Sequence, residues 1–72
     1  MTNSPALEAA IAKTGISKKS LAKQLALSEM GLFRKINNIT EFKASEIIAM
    51  QKILSLTDCE RDSIFFASNV DY

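Results

Sequence analysis

There is no histidine and no tryptophan in these 72 residues, and only one cysteine, one proline and two glycines. Without histidine the chain lacks the commonest metal ligand and the usual general base at neutral pH. The single cysteine, Cys59, excludes an internal disulfide and a multi-cysteine metal site. No glycine-rich phosphate loop and no cluster of nucleophile and base stands in for them. No enzyme is therefore expected, and no catalytic residue, metal, cofactor or small-molecule ligand. No apolar run approaches the roughly 20 residues of a membrane span, and the amino terminus has no signal-peptide pattern. The expectation is a soluble, cytoplasmic protein.

What is present is a 47% apolar composition, enough for one small helical bundle, so residues 1–72 are expected to form a single domain. The net charge is only +1, but it is unevenly spread. Between Lys13 and Lys43 seven basic residues (Lys13, Lys18, Lys19, Lys23, Arg34, Lys35, Lys43) meet two acidic ones, Glu29 and Glu41, a local +5. Glu8 contributes −1 before that stretch. After it, Lys52 and Arg61 face Glu46, Asp58, Glu60, Asp62 and Asp71, for −3. A charge run is usually a solvated face, so this asymmetry acquires meaning only from the segment that carries it.

Five helices and no strand follow from the spacing of apolar residues. The first is expected at about 5–14, capped by Ser4, with Pro5 at the first helical position and Gly15 as its stop. Residues 1–3 are expected to fray. Ser17 caps a second helix at about 18–25, with Leu21, Ala22 and Leu25 on one side, and Ser28 caps a third at 29–36 that buries Leu32 and Ile36. A fourth, at about 44–54, carries a broad apolar surface of Ile47, Ile48, Met50, Ile53 and Leu54. Thr57 and Glu60 form a capping box for a fifth at about 58–67, whose acidic first turns suit the helix dipole. Cys59 is expected to be small, inert and partly buried there. Of Phe65 and Phe66, one should fill the core while the other, with Tyr72, is a candidate dimer contact.

Residues 17–38, SKKSLAKQLALSEMGLFRKINN, read as two short helices separated by a sharp corner, the plan of a helix-turn-helix whose second helix usually enters the DNA major groove. The segment resembles the phage Cro/cI, XRE-like repressor family. The likeness lies in Ala22, the small turn residue Ala26, Leu27-Ser28, Leu32 and the Ile36-Asn37 ending, and continues in residues 41–47. It extends over about residues 7–66. Ala26 and Asn38 stand where the family places glycine; a left-handed backbone there would cost a non-glycine residue ~1 kcal/mol, and Asn tolerates it better than most. The resemblance implies an all-α, five-helix lambda-repressor-like domain with helices 2 and 3 as the helix-turn-helix. With no second domain in view, it is more similar to Cro-type regulators of a lysis–lysogeny switch than to a full-length repressor. A bacterial host cell would be its compartment.

Two partners remain open for the outward side of helix 3: Ser28, Glu29, Met30, Phe33, Arg34 and Asn37. Facing double-stranded operator DNA, Arg34 can pair with guanine and Asn37 with adenine, while Met30 or Phe33 touches a thymine methyl; Lys18, Lys19 and Lys35 are the candidate phosphate contacts. Met30, Phe33 and Arg34 together also have the composition of a protein–protein hot spot. Some small members of the resembled family are modulators of repression, antirepressors that bind the cognate phage repressor and block its DNA-reading helix. That role would use helix 3 as an apolar anchor. A homodimer is compatible with both. The plainer readings are that Phe33 packs in the core and that the lysines merely keep the surface soluble.

Overall fold

The computed structural model describes residues 1–66, which form five helices and, among those residues, no strand: α1 (Ser4–Thr14), α2 (Lys18–Gln24), α3 (Glu29–Ile36), α4 (Ala44–Ile53) and α5 (Asp58–Phe65). The last helix ends at Phe65, with Phe66 as its C-cap, short of the expected 67; the dimer contact at Tyr72 lies outside the described residues. No described helix is long and apolar enough to cross a membrane.

Helix starts follow side-chain chemistry closely. Ser17 accepts from the Ser20 N–H at 3.0 Å, Ser28 from the Gly31 N–H at 2.9 Å and Thr57 from the Glu60 N–H at 3.1 Å. Glu60 completes the predicted box by accepting from the Thr57 N–H at 2.8 Å. The backbone and side-chain bonds from Thr57 hold the Glu60 carboxyl below its ordinary range. α4 begins with half such a box: Lys43 has no side-chain acceptor, and Glu46 alone reaches back to the Lys43 N–H at 2.8 Å.

α1 departs from expectation. Its cap is Asn3, whose Oδ1 accepts from the Ala6 N–H at 3.1 Å, not Ser4. Asn and Ser cap about equally well, so tertiary contacts choose between them. Capping by Asn3 places Ser4 inside the first turn, where its hydroxyl donates to the Ile36 carbonyl at the end of α3. Residues 2 and 3 do not fray either. Thr2 is buried, and the Asn3 N–H donates to the Ile64 carbonyl at 2.7 Å.

Three helices end in the same way. After α2, the Ala26 N–H reaches the Lys23 carbonyl and the Leu27 N–H reaches that of Ala22; after α3, Asn38 and Ile39 reach Lys35 and Arg34; after α4, Ser55 and Leu56 reach Lys52 and Gln51. These are the paired bonds of the Schellman stop, which needs a left-handed residue just past the helix. Ala26, Asn38 and Ser55 supply it with φ of 57°, 62° and 54°. None is glycine, so each stop carries strain of ~1 kcal/mol that packing must offset. Gly15, at φ 76°, ends α1 without that cost.

The core gathers Leu7 and Ile11 of α1, Leu21 and Ala22 of α2, Leu32 and Ile36 of α3, Ile47 and Met50 of α4, and Ile64 and Phe65 of α5. Phe65 meets Phe42 edge to face, with ring centroids 5.4 Å apart, a favoured aromatic geometry. Phe66 is exposed, so one phenylalanine of the pair fills the core, as predicted. The surface of α4 is narrower than its composition suggests, because Ile48 points outward while Ile47 packs in. Cys59 is exposed, not partly buried, since the inward positions of α5 belong to Ile64 and Phe65.

Candidate functional site

α2 and α3 are joined by four residues, Leu25–Ser28, and α3 leans on both α2 and α1. With Leu32 and Ile36 turned into the core, the 3.6-residue period sends Met30, Phe33, Arg34 and Asn37 outward. All four are exposed, Met30 at 57% and Phe33 at 55%. Phe33 is therefore a surface residue and not a core residue. Glu29 is exposed at the start of the helix, where a carboxylate suits the dipole.

Some side chains on this surface are already engaged. Ser28 spends an acceptor on the Gly31 amide. A Cβ built on Gly31 would lie 3.1 Å from the Ser28 oxygen, so this glycine makes room for the cap. The Asn37 amide turns back to donate to the Phe33 carbonyl at 2.8 Å and would have to let go before reading a base. Arg34 makes no ion pair among the described residues and is the cation most openly presented by α3.

The three candidate phosphate contacts fall in different environments. Lys35 is withdrawn from solvent: its Nζ lies 2.6 Å from Glu46 Oε1, and the two side chains are only 11% and 10% exposed. The ammonium ties α3 to the start of α4, so the phosphate contact expected of it would require this pair to open. Burial pushes the Glu46 carboxyl upward, but Lys35 and the Lys43 N–H outweigh it, and the group is held below its ordinary range. Lys18 is exposed yet paired with Glu8 at 2.8 Å, a contact that water and salt weaken. Lys19 is exposed without an ion pair among the described residues, as are Lys23 and Lys43.

Two further apolar residues, outside α3, are exposed. Ile39 is 64% exposed and Ile48 54%. Ile39 follows the left-handed Asn38, the position that in such stops commonly packs near the third or fourth residue from the helix end, here Arg34 and Phe33. That stop, already implied by Asn38, was the signal that could have identified it. For Ile48 the sequence carried no such signal, since adjacent residues can both be buried on one helix, as Ile64 and Phe65 are.

No cluster of three or more metal-ligating side chains occurs among the described residues. No family model, no curated protein and no solved structure matches this chain.

Proposed function

We propose that this chain is a small, phage-type transcriptional regulator of helix-turn-helix kind that acts by protein contact. In this reading α2 and α3 form the helix-turn-helix of a lambda-repressor-like domain. The outward side of α3 docks on the cognate phage repressor and keeps it from its operator. One observation carries the reading: Met30 and Phe33, three residues apart on one helix, each expose more than half of a large apolar side chain. Such residues on a solvated helix are costly to leave uncovered and are suited to anchoring a protein interface. Arg34 and Glu29 flank them and can answer charges on the partner's DNA-reading surface. The withdrawal of Lys35 into its pair with Glu46 points the same way, because it removes a cation from the side a phosphate would approach.

Direct operator binding is the second reading, supported by the exposed cations Arg34, Lys19, Lys23 and Lys43. Titration of operator DNA at two salt concentrations, with and without the repressor, separates the two. Protein contact predicts negligible DNA affinity for the protein alone, together with release of repressor from DNA. Phe33→Ala should then weaken repressor binding by ~2 kcal/mol or more, while Lys19→Ala changes it little. Operator binding predicts a steep salt slope for the protein alone and a larger loss with Lys19→Ala. That pattern would overturn the protein-contact reading. Lys35→Ala is a poor probe of either, since it also breaks the pair with Glu46.

A further inference from the structure

The end of α3 is held by a side chain whose position in sequence gives no hint of that work. Asn38 closes the helix in the left-handed conformation that glycine adopts most easily, yet it is not glycine. Its side chain is fully used. The Thr2 N–H donates to Asn38 Oδ1 at 2.8 Å, and Asn38 Nδ2 donates to the Thr2 carbonyl at 2.9 Å and lies 3.3 Å from the Ser4 hydroxyl. One amide thus pairs with both backbone groups of a single residue, as a neighbouring strand would. Ser4 adds a second tie, donating to the Ile36 carbonyl two residues before Asn38. The segment being gripped is itself anchored on the other side, where the Asn3 N–H donates to the Ile64 carbonyl of α5 at 2.7 Å, and Thr2 is only 8% exposed.

We infer that Asn38 is a positioning residue for the α3 surface. It clamps residues 2–4 between the ends of α3 and α5 and so sets how α3 presents Met30 and Phe33. Glycine at this position would close the helix with less backbone strain but would leave α3 tied to residues 2–4 only through Ser4. The other two left-handed stops support this distinction. Among the described residues neither Ala26, which has no polar side chain, nor Ser55 makes a side-chain hydrogen bond across the fold. Only the stop that follows the exposed recognition surface has been given a second function. The inference rests on the reading of α3 as the contact surface. Its structural half, that Asn38 fixes α3, stands independently of what α3 contacts.

Asn38→Gly compared with Ser55→Gly tests it, because both place glycine in the same kind of stop and differ in the clamp. The readouts, on the full chain and without any ligand, are amide hydrogen exchange at Asn37 and Ile39 and the NMR resonances of the Met30 methyl and the Phe33 ring. Asn38→Gly should speed exchange at both amides at least tenfold and shift both side-chain resonances, while Ser55→Gly leaves all four at wild-type values. Asn38→Asp keeps the acceptor for Thr2 but loses the donor and should fall between; it also serves if the glycine variant folds poorly. In repressor displacement, Asn38→Gly should lose at least fivefold in affinity at a temperature where both variants are folded, and Ser55→Gly less than twofold. The inference is overturned if Asn38→Gly matches Ser55→Gly in exchange and in the Met30 and Phe33 resonances. If those shift while wild-type protein displaces no repressor, the clamp stands and the protein-contact reading is what fails.

Discussion

Leu32 and Ile36 are each 1% exposed, whereas Met30 and Phe33, on the same eight-residue helix, are 57% and 55% exposed. All four are large and apolar, and composition alone does not distinguish them. The inward pair is packed into the core on a helix that contacts α1 and α2, whereas the outward pair faces solvent. Lys35 lies between these extremes. It is a charged residue that the fold has drawn into its structure through Glu46 at 2.6 Å, while Lys18, paired with Glu8 at 2.8 Å, stays in water. For both apolar and charged residues, then, burial separates a structural role from a surface one.

Substitutions on the two sides of α3 should differ most in stability. Leu32→Ala is expected to cost about 2–5 kcal/mol, a large share of what a domain this small possesses, measured by urea unfolding; a loss below about 1 kcal/mol would erase the contrast. Lys35→Met is next. It leaves Glu46 with the Lys43 N–H alone and should cost about 2 kcal/mol, less than the roughly 3–5 kcal/mol of a fully buried pair. The gap between wild type and Lys35→Met should depend on pH. A carboxyl depressed in the folded state stabilises at pH values above its unfolded value, near 4.5, and that contribution fades as pH falls through the lower, folded value. The difference between the wild-type and Lys35→Met urea midpoints should therefore narrow as pH is lowered from about 7 through the folded value; a difference independent of pH would mean the pair is not the source.

Smaller effects sharpen the same contrast. Ser28→Ala removes the α3 cap and should cost about 1 kcal/mol, read as a shift in thermal midpoint. Phe33→Ala should leave stability within about 0.5 kcal/mol of wild type, even where it weakens binding. A marked fall in midpoint would return Phe33 to the core. Lys18→Ala should be smallest, between about 0 and 0.5 kcal/mol, and should vanish in high salt.

Much of the fold was legible because helices declare themselves locally. Ser17, Ser28 and Thr57 cap where a free backbone N–H requires an oxygen, and Gly15, Ala26 and Asn38 stop helices where the chain must turn left-handed. The inward and outward sides of α3 could be assigned from its period. Ser55 and Leu56 likewise end α4, with Ser55 left-handed and Leu56 packing back on the core. The choice of Asn3 over Ser4 as cap was undecidable from neighbours, since the deciding partner, the Ile36 carbonyl, lies 32 residues away. The order of residues 2 and 3 depends likewise on Asn38 and Ile64.

The sequence by itself determined the five helices of the described residues, the caps of α2, α3 and α5, and which side of α3 faces the core, because those properties come from caps, stops and periodicity within a few residues. Tertiary structure alone decided what the polar residues do. It paired Lys35 with Glu46 and left Arg34 and Lys19 in solvent, exposed Ile39 and Ile48, and turned Asn38 from a helix stop into a clamp on residues 2–4. A charge or an amide acquires its role from the group it meets, and here those groups are brought together from distant parts of the chain.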